Sequence, residues 1–217
     1  MYGLVFLFKY TGNPDQRAGT VQPYTSNVFF SQQVIQNACA TIAILNILLN
    51  TEDVDLGPHL SDFKAFTADF TPDLKGLAIS NSELIRSTHN SFAKSDPFVN
   101  DGPATDDDDK DLFHFVAYLP VNGVLYELDG LREGPISHGT CTSEDWLNKV
   151  HPVIAARIAS YGSEIRFNLM ALVKNRSEVY EQQLKEMDEK LTHDPTNVRL
   201  FLFFTRIIPP ADNLFEL

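Results

Sequence analysis

Cysteine is scarce in this chain. Only Cys39 and Cys141 occur among 217 residues, too few for a disulfide framework. Two cysteines far apart also make no zinc site. His59, His89, His138, His151 and His193 show no metal-ligand spacing such as HExxH, so neither a metal nor a cofactor is expected. Phosphate-binding and dinucleotide-binding glycine patterns are missing, and no internal repeat is visible. No apolar run reaches the ~20 residues that cross a bilayer, so no membrane partner is expected. Positive charge is short as well: 17 Lys and Arg against 29 Asp and Glu leave a net charge of −12 and a pI near 4.8. Nucleic acid needs a basic face and is excluded as a partner. A basic protein surface suits such a chain better. The run from Met1 to Lys9 is apolar but has no basic leader and no small-residue cleavage site. It reads as a strand rather than a signal peptide, and the reducing cytosol or nucleus is the default compartment.

What the chain has is apolar material, 43% hydrophobic and 11% aromatic residues, enough for one substantial core. After the first apolar run, 11–22 is rich in Gly, Pro, Asn and Asp and reads as a loop. Residues 34–49 are apolar nearly all round and too long for one strand, which describes a helix buried within the core. Shorter helices follow: one capped by Ser61, one entered through Thr71-Pro72, and one opened by a capping box of Ser80 and Glu83. The segment 95–111 breaks the pattern with Pro97, Gly102, Pro103 and the run Asp106-Asp107-Asp108-Asp109-Lys110. It reads as a long acidic loop. Strands are expected at 113–119 and 124–129, joined at Asn122-Gly123, the strongest short hairpin signal. A helix over 144–161, broken or kinked at Pro152, a strand over 165–173 and a last helix capped by Asn175 and Glu178 complete the pattern. The fold class is α+β, with helices around an antiparallel sheet.

Three residues of this pattern carry chemistry if they meet. Cys39 stands near the start of the buried helix, where free amides and the helix dipole stabilise a thiolate; the plain alternative is a small core residue. His114 lies on a strand and Asp129 ends the next one. Each has an ordinary structural reading, as a satisfied histidine and a turn residue. The hairpin links them. A two-residue turn pairs Val121 with Val124, Tyr118 with Glu127 and Val116 with Asp129. Asp129 then shares a face with His114 and lies diagonal to it, within side-chain reach. A slip of one residue separates them. A low-pKa cysteine with a histidine oriented by a carboxylate is the arrangement for thiol catalysis. Gln33, just ahead of the helix, could supply an oxyanion donor or be a plain surface glutamine. Cys141 has no base nearby and reads as incidental.

These residues resemble a known family. The string Gln32-Gln33-Val34-Ile35-Gln36-Asn37-Ala38-Cys39-Ala40-Thr41 is similar to the nucleophile segment of the ubiquitin C-terminal hydrolases. Phe113-His114-Phe115-Val116 resembles their histidine strand. Tyr126-Glu127-Leu128-Asp129-Gly130-Leu131 with Arg132-Glu133-Gly134-Pro135 resembles their aspartate segment. The resemblance is strongest to the proteasome-associated, longer branch. It implies a papain-like cysteine hydrolase with a knotted backbone, acting on amide, ester or isopeptide bonds at the ubiquitin C-terminus. Cys39 is then nucleophile, His114 base and acid, Asp129 its orienter and Gln33 the oxyanion donor. Ubiquitin is the implied partner. The proteasome is implied through a C-terminal domain that 194–217 does not match. The segment 95–111 becomes a loop over the active-site entrance. Domains are expected as 1–175 catalytic, lacking the family's N-terminal portion, then the helix 176–193 and an atypical tail 194–217. A catalytically weak ubiquitin-binding module and a papain-like peptidase with other substrates remain the alternatives.

Overall fold

A computed structural model describes residues 1–10, 19–23, 27–92 and 112–193. The long loop 95–111 and the tail 194–217 lie outside the described residues. By its contacts the chain divides into two units, Met1–Val173 and Lys174–Leu217.

The first unit is built on a six-stranded antiparallel sheet in the order β2-β5-β4-β3-β1-β6. Its strands are β1 (Gly3–Lys9), β2 (Thr20–Val21), β3 (Phe113–Val121), β4 (Val124–Leu128), β5 (Ile136–Thr140) and β6 (Asn168–Leu172). At its centre β1 and β3 are each buried on both faces, as expected for inner strands. Even-numbered positions Phe6, Phe8, Val116 and Tyr118 face Trp146, Val150 and Ile154 of α5 (Trp146–Ser160). Odd-numbered positions Val5, Ala117 and Leu119 face Ala43 and Ile47 of α1 (Cys39–Leu48). Helices α2 (Gly57–Phe66), α3 (Pro72–Asn81) and α4 (Glu83–Ser91) follow α1 in the chain. Ile79 and Ile85 from α3 and α4 join Ile42 and Leu45 of α1 in a further core cluster. Phe6, Phe8 and Phe30 are fully buried, each contributing about 1.5–3 kcal/mol through lost apolar surface.

The hairpin forms in the expected register. Asn122 and Gly123 both take positive φ, 49° and 77°, as a turn matched to strand twist requires. Val121 pairs with Val124 and Tyr118 with Glu127. The ladder ends at Ala117–Leu128, one step short of the expected Val116–Asp129 pair.

Several expected boundaries are corrected. The helix expected over 34–49 starts only at Cys39, because Asn37 sits in the left-handed region at φ 63° and breaks the helical run. Ser61 lies inside α2, which begins at Gly57, where the backbone N–H is held by Asp55 Oδ1 at 2.9 Å. Ser80 is also interior: its hydroxyl donates back to Gly76 O within α3. The cap of α4 is Ser82, whose Oγ accepts from Ile85 N. Of the loop expected over 11–22, residues 11–18 lie outside the described residues and Thr20–Val21 form the short strand β2; β5 stands where the sequence signals no strand. Helix α5 continues through Pro152 to Ser160. The strand expected over 165–173 contracts to β6.

In the second unit α6 spans Arg176–His193. Asn175 Oδ1 accepts from Ser177 N at 3.1 Å, a side-chain cap at its first turn.

Candidate active site

Segment 28–33 runs beside α1 without belonging to the sheet, so its backbone groups need other partners. Side-chain amides of α1 and the turn after it supply them. Asn50 Oδ1 accepts from Phe29 N at 2.7 Å, and Asn46 Oδ1 accepts from the N–H and hydroxyl of Ser31, both at 3.0 Å. At its far end Gln32 N donates to Pro72 O and Gln33 N donates to Gly130 O. The chain then turns through Asn37 into α1, and Cys39 is the first helical residue. Ala38 before it makes no side-chain cap, which leaves the first-turn amides open.

Gly130 explains how this segment reaches the hairpin. A Cβ there would stand 3.1 Å from both Gln33 Cβ and Ile42 Cγ2. The glycine therefore lets the turn after β4 press against the start of α1. That close approach brings Asp129, His114 and Cys39 together from three parts of the chain.

His114 and Asp129 are almost fully buried, 4% and 1% exposed. His114 Nε2 donates to Asp129 Oδ1 at 2.6 Å. The same carboxylate oxygen accepts from Leu131 N at 3.0 Å, and Arg132 Nε lies 3.9 Å from Oδ2. Phe8 meets the imidazole edge-on at 5.7 Å, and Tyr10 lies tilted at 5.8 Å. The ring is thus held at one edge and against its neighbours. With Nε2 committed to Asp129, the other ring nitrogen is the one left for the thiol.

Cys39 is half-buried, and burial alone would raise its pKa. Hydrogen bonding from His114, from the Phe115 backbone and from the Ala40 backbone, with the nearby His114 charge, outweighs this. The thiol is held below its ordinary 9.0. The Phe115 donor is available because β4 stops at Leu128. Val121, Leu119 and Ala117 direct their backbone groups toward β4, and Phe115 points the same way past its end. His114 moves in the opposite direction. Its burial lowers the pKa, but hydrogen bonds to Asp129 and Cys39 and their charges lift it above 6.5. A lowered thiol beside a raised imidazole favours the thiolate–imidazolium pair. Cys141 is the contrast: burial and the Asp145 charge push its thiol up.

Gln33 is partly buried beside this centre. Its Nε2 donates to Ile35 O at 3.0 Å, and its Oε1 is buried without a hydrogen-bond partner. One N–H of the amide remains uncommitted. Missed from sequence were Gly130, Phe8 and Tyr10, since each acts through a long-range contact that no local pattern encodes. An apolar groove lined by Phe63, Phe66, Phe70 and Leu74 carries no titratable group and offers no chemistry.

Known proteins resemble this chain. Residues 1–159 match the model of the family described as ubiquitin carboxyl-terminal hydrolase, family 1. Ubiquitin carboxyl-terminal hydrolase 2 of Schizosaccharomyces pombe is 50% identical over 180 residues, covering 81% of this chain and 60% of the relative. Ubiquitin carboxyl-terminal hydrolase isozyme L5 of Dictyostelium discoideum is 47% identical, covering 87% and 54%. Trichinella spiralis UCH37, in its crystal structure bound to ubiquitin vinyl methyl ester, superposes with a TM-score of 0.70 at 41% identity, covering 87% of this chain and 71% of that one. The chain spans a little over half the length of these two curated relatives. On the family match and these identities, the chain belongs to the ubiquitin carboxyl-terminal hydrolase family 1.

Proposed function

We propose that this protein is a thiol-dependent hydrolase that cuts amide, ester or isopeptide bonds at the C-terminal glycine of ubiquitin. One observation carries the reading: a thiol of lowered pKa beside an imidazole that a buried carboxylate holds at 2.6 Å. The Trichinella relative bound to ubiquitin vinyl methyl ester supports ubiquitin as the partner. The reducing cytosol or nucleus is the proposed compartment, because it keeps Cys39 as a thiol. A proteasome link rests only on the resemblance, through a C-terminal domain that 194–217 does not match.

The Cys39 thiolate attacks the carbonyl carbon of the ubiquitin glycine, and the carbonyl π electrons move onto oxygen. The Cys39 backbone N–H and the free Gln33 amide hydrogen are the proposed donors to that oxyanion. His114 gives its proton to the leaving nitrogen or oxygen as the bond to the leaving group breaks, leaving a thioester. Neutral His114 then takes a proton from water, which attacks the thioester and expels the Cys39 thiolate. Asp129 keeps the ring oriented throughout and stays ionised. Release of fluorophore from a ubiquitin C-terminal amide by the wild-type chain, lost in Cys39→Ala, is the expected result. Equal release by both would sink the reading.

A further inference from the structure

A cation lies buried on the α5 face of the sheet. Arg157, near the C-terminal end of α5, is 8% exposed. Its Nη1 donates to Glu127 Oε1 at 3.0 Å and to the Tyr118 hydroxyl at 2.9 Å. Glu127, itself 1% exposed, receives His138 Nε2 on its other oxygen at 3.1 Å. The guanidinium also stacks on an aromatic ring, with Cζ 4.0 Å from the Phe8 centroid. Phe8 is the direct cross-strand partner of His114, and their rings meet edge to face at 5.7 Å. Arg157, Phe8 and His114 therefore form a contiguous chain of contacts that runs from α5 to the imidazole.

The imidazole has little tolerance for rotation. A turn of the ring breaks the Asp129 bond and withdraws the other nitrogen from Cys39 together. Asp129 fixes one edge of the ring, while Phe8 sets its tilt. Phe6 and Tyr161 border the Phe8 ring at 5.7 and 5.8 Å, and the guanidinium, itself fixed by a carboxylate and a phenol, covers the ring as a further contact. A buried ion pair is a poor means of stabilising a fold, since apolar side chains of similar volume often do as well or better. What the pair does supply is a fixed position for the guanidinium.

We propose that Arg157 is a positioning residue, clamping the Phe8 ring and through it the imidazole of His114. The turnover readout rests on the hydrolase reading above; the alkylation readout does not. A brace that merely joins α5 to the sheet would lose stability on substitution and leave the chemistry of the remaining folded protein unaltered.

The test uses the full chain. Arg157→Lys keeps a charge for Glu127 but loses the planar stack. It is expected to lower kcat on a ubiquitin C-terminal amide roughly 10- to 100-fold with little change in KM, as a misplaced catalytic group does. It should also move the pH profile of Cys39 alkylation by iodoacetamide upward, because a displaced imidazolium supports the thiolate less. Phe8→Leu should do the same, and the pair combined should add little to either alone. If Arg157→Lys fails to fold, Phe8→Leu still has to shift the alkylation profile. An unshifted profile and kcat in either folded variant, or effects that multiply independently, overturns the proposal. Wild-type protein without turnover would sink the hydrolase reading instead, and the alkylation profile would still decide the role of Arg157.

Discussion

At the scale of residues, the opposed shifts of Cys39 and His114 give a definite pH dependence. His114 is raised, so its imidazolium persists above 6.5 and is lost as pH rises. Cys39 is lowered, so its thiolate forms below 9.0 and is lost as pH falls. The rate kcat/KM should therefore climb as the pair ionises and fall as the imidazolium deprotonates, with both limbs belonging to the coupled pair. Asp129→Asn removes a charge that raises His114, so the falling limb should move to lower pH and kcat should drop by roughly 10²-fold or more. An unmoved falling limb would mean that Asp129 does not govern the imidazole. Gln33→Ala should lower kcat by roughly 10²–10³ with substrate binding nearly unchanged, the behaviour of a lost oxyanion donor. An equal loss in binding would make Gln33 a contact residue. That His114 and Asp129 share a face was legible in the sequence because a tight hairpin is a local feature; the expected helix over 34–49 was not exact, since Asn37 moves its start to Cys39. Phe8 and Arg157 were not, since their placement depends on strand and helix pairings distant in sequence.

Elements show the same division. The hairpin was readable down to its register because Asn122-Gly123 specifies the turn, and the turn specifies every pair after it. The strand β5 was not. Only Ile136 is fully buried in it, Gly139 takes φ 96°, and its ladder with β4 is irregular between Val124 and Tyr126. Such a strand is imposed by its neighbour rather than announced by its composition. Ser80 does not cap α4 because its hydroxyl bonds backward within α3, while Ser61 lies inside α2. The packing of α3 yields a test. A Cβ on Gly76 would lie 2.0 Å from Gln32 O, which no rotamer can relieve. Gly76→Ala should cost about 1–3 kcal/mol or more through overpacking, read as a lowered denaturation midpoint. It should also reduce activity in the folded fraction, because Gln32 leads directly into the segment that carries Gln33 and Cys39. Unchanged stability would show that α3 yields without disturbing that segment.

For the whole molecule, every residue of the proposed centre lies within Met1–Val173. A chain ended after Val173 is expected to keep the alkylation profile of Cys39, and a profile moved to ordinary thiol behaviour would show that the second unit supports the site. The acidic balance of the whole chain, −12, suits a partner with a basic surface. Affinity should come from a wide surface, while the thiol contributes chemistry rather than binding. Cys39→Ala should accordingly bind ubiquitin as well as wild type while turning nothing over. The most direct measurement is intact mass after incubation with a ubiquitin C-terminal vinyl methyl ester, followed by peptide mapping. One adduct per chain, on Cys39, absent in Cys39→Ala and slowed in His114→Ala, is the expected result. No adduct with wild-type protein, or an adduct on Cys141, would contradict the assignment of Cys39 as the nucleophile that acts on ubiquitin.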